Sequence, residues 1–374
     1  MSRLRFGLIG TGFIGRTHAI ALNASGAVFG ERFAPVCEML ADHTEEAARR
    51  GATALGFARG TGDWRELVAE PAVDVVDICT PNYLHREMAL AAIAAGKHVY
   101  CEKPLANTAQ EAAAIAAAAD AAGVRHMVGF NYICNPLLHL AREMIASGEL
   151  GEVYAFRGSY LEDYMSDPAS PWSWRCDRSL AGSGALADLG SHLINLAHFL
   201  LGGIARAQGS LQTVHAQRRD PASGAARAVE NEDIARALIE FASGIPGTFE
   251  ISRVATGRKC GLDFTVFGTR GALEFGQERM NELRWYEAAA RAGREGFRTI
   301  LAGPIHPDYR AFCPAPGHGL GYNDLKTIEV RNVVRTITSG AAGWPDFHEG
   351  ARVQRVMESI ERSHAERAWT EVAP

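Results

Sequence analysis

The chain has no C-x-x-C pair, and its seven cysteines are odd in number and scattered. A disulfide framework needs an even set and a structural zinc site needs close pairs, so neither is expected. Cys37, Cys79, Cys101, Cys134, Cys176, Cys260 and Cys313 read as reduced thiols in a reducing compartment. No apolar run approaches the roughly 20 residues of a membrane span. Met1-Ser2-Arg3-Leu4-Arg5 enters a strand without the apolar stretch of a signal peptide. A cytoplasmic protein with no membrane partner is therefore expected. Basic residues are not in excess: the formal net charge is -5, which leaves no footprint for nucleic acid. Internal repeats and low-complexity tails are also missing, and 374 residues suggest two domains with a core large enough to need no staples.

What is present begins at once. Arg5-Phe6-Gly7-Leu8-Ile9 reads as a buried strand, Gly10-Thr11-Gly12-Phe13-Ile14-Gly15 follows, and Arg16 to Ala24 has helical character. A glycine-rich turn between a strand and a helix N-terminus is a pyrophosphate site. Gly10 allows the turn, Gly12 lets phosphates approach, and Gly15 lets helix and strand pack closely. Residues 23–33 read as a loop insertion. A second strand, Ala34-Pro35-Val36-Cys37, ends at Glu38, where an acid would hydrogen-bond a ribose 2′-hydroxyl and repel a 2′-phosphate. NAD is thus preferred over NADP.

Strands and helices keep alternating, which predicts a parallel doubly wound sheet over residues 1–130. One strand ends in Thr80-Pro81-Asn82, and His85 follows at a helix start. The next, His98 to Cys101, ends in Glu102-Lys103-Pro104. Ligands in such sheets bind beyond the strands' carboxyl ends, and proline stiffens the residue before it. Lys103 is therefore a candidate for polarising a substrate oxygen, against the reading of a solvated surface lysine.

After Phe130-Asn131-Tyr132 the pattern changes. Strands at 152–161, 204–215, 233–241, 246–253, 261–267 and 272–275, joined by tight turns, predict a mostly antiparallel sheet. Arg218–Arg227 reads as a mobile polar loop, and helices at 324–339 and 349–367 close the chain. The expected fold class is α/β: a doubly wound Rossmann domain followed by an α+β domain, residues 131–374, with a mostly antiparallel sheet.

In that second domain, Ala181-Gly182-Ser183-Gly184-Ala185 leads into an apolar helix carrying Asp188, His192 and Asn195. Residues four apart share a helix face. A carboxylate beside an imidazole is either a satisfied structural pair or a base tuned near neutral pH. No other His, Asp or Glu set has ligand spacing, so no metal is expected.

Taken together, Gly10–Gly15, Thr80–Asn82, Glu102–Pro104, Gly129–Asn131 and the small-residue run into Asp188 and His192 resemble the Gfo/Idh/MocA oxidoreductases. Trp172–Arg175, Gly296–Thr299 and Gly319–Tyr322 extend the resemblance into the second domain. It implies oxidation of a secondary hydroxyl on a sugar, anhydrosugar or cyclic polyol, with catalytic Lys103, Asp188 and His192. Cofactor contacts fall on Gly10, Gly12, Phe13, Ile14, Gly15, Glu38, Thr80, Pro81, Asn82, His85, Glu102, Lys103 and Asn131. Tyr160, Trp174, Arg175, Tyr322 and His318 are candidates for the substrate wall, against a core or interface role for each. Asn195 stands where members often carry Asp. The resemblance also implies that the second domain's large sheet is open-faced and often used for oligomerisation, and a homodimer or homotetramer is expected. Two other activities remain open on the same fold: an NAD-dependent glycosidase that recycles its cofactor, and a non-catalytic nucleotide-binding regulator.

Overall fold

The computed structural model describes residues 2–373. β1 (Ser2–Ile9) leads to α1 (Phe13–Phe29), β2 (Phe33–Ala41), α2 (Glu45–Leu55), β3 (Arg59–Thr61), α3 (Trp64–Ala69), β4 (Val75–Ile78), α4 (His85–Ala94), β5 (His98–Glu102), α5 (Ala109–Ala122) and β6 (His126–Gly129). These six strands form one sheet in the order β3-β2-β1-β4-β5-β6, with every neighbour parallel. The order reverses between β1 and β4, the switch point beside which α/β sheets bind ligands.

The expected loop insertion at 23–33 is corrected. α1 continues to Phe29 with Ser25 buried, and it ends at Gly30, whose φ of 58° closes the helix. Helices α2, α3 and α5 start where sequence chemistry dictates: Thr44, Asp63 and Thr108 accept first-turn backbone N–H groups.

The chain continues through α6 (Pro136–Ala146), β7 (Val153–Leu161), α7 (Arg178–Ala181), α8 (Ser191–Leu201), β8 (Ile204–Gln212), β9 (Gln217–Arg219), β10 (Ala226–Ala228), β11 (Ile234–Phe241), β12 (Pro246–Ser252), β13 (Gly261–Gly268), β14 (Gly271–Gly276), β15 (Glu282–Glu287), β16 (Arg298–Leu301), α9 (Tyr309–Phe312), α10 (Tyr322–Ser339), α11 (Phe347–Glu366) and β17 (Thr370–Glu371). It divides into two compact units, residues 1–134 with 321–351 and residues 135–320 with 352–374. A boundary at 130 with everything later in the second domain is therefore corrected. The reason is an apolar stripe on α10: Val330, Val333 and Val334 join the core formed by Phe6, Leu8, Val75 and Tyr100 of the parallel sheet and Leu22 of α1.

The second unit holds a nine-stranded sheet, β16-β15-β14-β13-β7-β12-β11-β8-β17, antiparallel throughout except between β7 and β12. Phe156 sits at its centre, with Phe241, Phe249 and Phe264 within 6.3 Å, ring centroid to centroid. Burying each ring stabilises the unit by roughly 1.5–3 kcal/mol. The other face is wet: Arg236, Leu238, Thr248 and Glu250 alternate with the buried residues and are exposed. The predicted mobile loop at 218–227 is instead a hairpin, β9 against β10. Arg218 is its anchor: it is buried, and its guanidinium donates to the carbonyls of Met165, Asp167 and Ser170. A charge that polar-looking sequence assigned to water thus closes three backbone acceptors.

Candidate active site

In the first unit, the turn after β1 is built by steric necessity. Gly10 has φ 99°, and a Cβ there would meet the Cys79 carbonyl oxygen at 2.8 Å. A Cβ on Gly15 would lie 2.0 Å from the Gly10 carbonyl oxygen. Gly12 differs, because its Cβ would meet nothing within 4 Å. Gly12 is also the N-cap of α1 and has no side chain to cap it. The first-turn N–H groups are left for a ligand, and the approach to them is open. A dinucleotide pyrophosphate fits both features. Ile14 is half-buried behind the turn, whereas Phe13 is 77% exposed and stacks on Tyr322 at 6.2 Å. Tyr322 also lies 6.0 Å from Tyr132. Tyr322, expected on the substrate wall, thus belongs to the first unit, beside the glycine turn.

The assignment of Glu38 to the carboxyl end of the second strand is corrected. β2 runs four residues past Cys37, and pairing with β1 jumps from Cys37 to Met39. Glu38 is the residue skipped, and its carboxylate pairs with Arg59 at 3.2 Å. The acid at the true end of β2 is Asp42. It accepts a hydrogen bond from Thr11 Oγ1 of the glycine turn and another from the His43 backbone at 2.7 Å. Burial would raise the Asp42 carboxyl, but these hydrogen bonds outweigh it and lower its pKa. Asp42 was missed because the apolar run Met39-Leu40-Ala41 beyond the first charge was not read as strand.

At the next strand ends, Thr80, Pro81 and Asn82 are half-buried just past β4. His85, expected at the cofactor, is fully buried, with its Nδ1 2.8 Å from the Pro104 carbonyl and its Nε2 2.9 Å from the Thr80 carbonyl. Both ring nitrogens are occupied by backbone, so His85 is a strut between the β4 and β5 ends and not a cofactor contact. Lys103 is half-buried at the end of β5, and its bond to Pro104 is cis. Glu102 is corrected likewise. It is buried, and its Oε1 accepts from His18 Nε2 at 2.9 Å and Lys326 Nζ at 2.8 Å, while Oε2 accepts the Lys103 N–H at 3.1 Å. Asn131 is 2% exposed, and its Nδ2 has no hydrogen-bond partner among the described residues, so the donor is available to a ligand.

In the second unit, the small-residue run has a local explanation. The Glu232 carboxylate accepts from Ser183 Oγ and from the backbone N–H groups of Gly184 and Leu186, anchoring a helix start. A Cβ on Gly184 would lie 2.0 Å from the Glu232 carbonyl oxygen. Residues Leu186–Gly190 then form a single π turn before α8, the kind of irregularity that recurs at functional sites. Asp188 lies in that turn and His192 in the first turn of α8. Gly158 of β7 lets α8 close on the sheet, since a Cβ there would meet Leu193 at 2.7 Å. Tyr160, two residues along the same face, is buried and meets the His192 ring edge-on at 6.1 Å. Asp188 accepts from the Tyr164 hydroxyl at 2.6 Å and has Arg175 Nε at 3.7 Å. The Arg175 guanidinium lies over Trp174, and its carbonyl is held by Asn231 and Arg253. Arg253 pairs with Asp233 at 2.9 Å, both fully buried. Asp188, His192, Tyr160, Trp174 and Arg175 are thus assembled in one unit. His318 is exposed in the same unit. Tyr164 was missed, because a lone tyrosine in a loop carries no periodic signal.

Sheet order, open glycine turn and strand-end acid together define a dinucleotide-binding Rossmann unit, and the description of an oxidoreductase family with an NAD-binding Rossmann fold matches residues 4–130. A GFO/IDH/MocA C-terminal domain matches residues 138–274, and the chain belongs to the GFO/IDH/MocA family. It is 38% identical to levoglucosan dehydrogenase of Pseudarthrobacter phenanthrenivorans, covering 100% of this chain and 99% of that protein. It is 27% identical to inositol 2-dehydrogenase of Rhizobium meliloti, covering 99% of each. A solved levoglucosan dehydrogenase in complex with NADH and L-sorbose superposes with a TM-score of 0.97 at 39% identity, covering 100% of both chains. An NAD-binding oxidoreductase from Klebsiella pneumoniae superposes with a TM-score of 0.95 at 46% identity, again covering both chains fully. Among the described residues, no helix is long and apolar enough to cross a membrane.

Proposed function

We propose that this protein is an NAD-dependent dehydrogenase that oxidises a secondary hydroxyl of a sugar, anhydrosugar or cyclic polyol to a ketone, acting as a homodimer or homotetramer. The observation that carries the reading is the uncapped, open glycine turn beside Asp42, in a chain similar over its full length to a levoglucosan dehydrogenase. Bound NAD would supply the acceptor for the hydride on the carbinol carbon. The hydroxyl proton has to leave by another route. His192 accepts it, since a neutral imidazole carries a lone pair that can take a proton near neutral pH. Asp188, held by Tyr164 and Arg175, orients the imidazole or a neighbouring substrate hydroxyl. Lys103 stabilises the charge developing on the oxygen. Thr80, Pro81, Asn82 and Asn131 would hold the cofactor, with Phe13 and Tyr322 flanking the glycine turn. Trp174 and Arg175 offer an aromatic face and planar donors to the sugar.

The reading is tested with NAD and then NADP against inositols, glucose, xylose, galactose and levoglucosan, following free reduced nicotinamide. NAD-dependent release with at least one of these polyols is expected. Glycoside cleavage without free NADH would assign the recycled-cofactor activity instead. Tight cofactor binding with no turnover of any compound would assign the regulator.

In the same reading, Asp42 at the end of β2 takes the ribose hydroxyl, while Glu38 lies within the strand and pairs with Arg59. A hydrogen bond to a charged group contributes about 1.5–3 kcal/mol. Asp42→Ala is therefore expected to lower kcat/KM with NAD by about 10- to 100-fold while leaving or raising that with NADP. Glu38→Ala should stay within about twofold of wild type, since its carboxylate is already paired with Arg59 and is not at the end of β2. The reverse ranking would return the role to Glu38.

A further inference from the structure

Beneath Lys103 lies a set of buried ionisable groups that the reaction does not use. His18 on α1, Asp77 on β4, Glu102 on β5 and Lys326 and Glu329 on α10 are all 4% exposed or less. His18 Nδ1 meets the Asp77 carboxylate at 2.9 Å and its Nε2 meets Glu102 Oε1 at 2.9 Å. Lys326 Nζ lies 2.8 Å from Glu102 Oε1 and 2.6 Å from Glu329 Oε2. The Tyr100 hydroxyl donates to Glu329.

Burial alone would strip these groups of charge, yet the carboxylates hold His18 and Lys326 protonated and raise both. Burial likewise would raise Glu102, but Lys326 and His18 outweigh it and hold it well below its ordinary range. Cys79 lies close to His18 and Asp77, but both imidazole nitrogens are already given to carboxylates, so a metal has no ring lone pair to take. Removing one partner of such a buried set is costly, and the atoms converge on one place: the two cations take Glu102 Oε1, while Oε2 takes the Lys103 backbone N–H. A Cβ on Gly129 would meet Oε1 at 2.5 Å, so β6 closes the remaining side.

We propose that Lys326 is a positioning residue for Lys103. Its ammonium, with the His18 imidazolium, pins the Glu102 carboxylate so that the carboxylate fixes the backbone from which the Lys103 side chain departs. The proposal rests on the reading of Lys103 as a residue that meets the substrate oxygen. It explains why a helix near the end of the chain is packed on the first unit by a lysine as well as by valines.

The test is a double-mutant cycle on the whole enzyme, with single-turnover hydride transfer and NADH affinity as readouts. Lys326→Met keeps the length of the side chain and removes its charge. It is expected to slow hydride transfer on the order of 10- to 100-fold, the effect of misplacing a reacting group by about 1 Å. NADH affinity should change less than about threefold, since the glycine turn is untouched. In a Lys103→Ala background the same change should cost almost nothing, because a residue acting through Lys103 has nothing left to position. Equal slowing in both backgrounds, or loss of NADH binding in step with rate, would overturn the proposal and leave Lys326 a purely structural charge. If Lys103→Ala alone keeps the wild-type rate, the role of Lys103 itself falls, a separate outcome. Should Lys326→Met fail to fold, Lys326→Met with Glu329→Gln removes cation and carboxylate together and takes its place in the cycle.

Discussion

Replacing His192 with alanine is expected to lower the rate of NAD reduction by roughly 10²–10⁴-fold, the usual contribution of a positioned base. NADH affinity should stay within about twofold, since His192 lies in the second unit and the glycine turn in the first. The pH profile is the sharper readout. With His192 intact, activity should fall towards acid pH, where a protonated imidazole has no lone pair left to accept the hydroxyl proton. In His192→Ala that acidic limb should disappear, along with most of the rate. His192 is 7% exposed and packs on Tyr160, so thermal unfolding of the variant has to be recorded alongside. A variant that folds, binds NADH and keeps its rate and its acidic limb would remove His192 from the mechanism and leave Lys103 as the proton acceptor to test.

Gly15→Ala is expected to abolish dinucleotide binding and to destabilise the enzyme without ligand. The new Cβ would lie 2.0 Å from the Gly10 carbonyl oxygen, which is backbone and cannot rotate aside. Overpacking of this kind costs about 1–3 kcal/mol, and here relief requires opening the turn itself. Gly12→Ala supplies the contrast. Its Cβ meets no protein atom within 4 Å, so the apo protein should melt as wild type does. The methyl would instead occupy the space the phosphates need, so cofactor affinity alone should fall. Calorimetry with and without NADH separates the two. Equal affinity for NADH in wild type and both variants would show that the turn is not the cofactor site.

The contrast between Gly12 and Gly15 also marks how far sequence reading reaches. Both were legible as a strand–turn–helix signal, because that signal is local: Gly15 answers the Gly10 carbonyl five residues back, and Gly12 keeps the turn open. The same holds for the β4 and β5 strand ends and for the helix carrying Asp188 and His192. Asp42 was not legible, since the end of β2 depends on how far β1 continues to pair with it. Tyr164 was not either, as its hydrogen bond to Asp188 joins residues 24 apart with no periodicity between them. Arg218 was read as solvated because nothing local discloses three carbonyls waiting for it.

By itself, then, the sequence determined the alternating α/β unit, the open turn at its head and the order in which the chemically armed residues follow. These rest on short-range sterics, on helix and strand periods and on capping, all written within a few residues of where they act. The tertiary structure alone decided which acid ends β2, that α10 belongs with the parallel sheet, and that Glu102 is held between His18 and Lys326 beneath Lys103. Each of those is settled by packing between segments up to hundreds of residues apart, where burial forces every polar atom to find a partner wherever the fold happens to bring one.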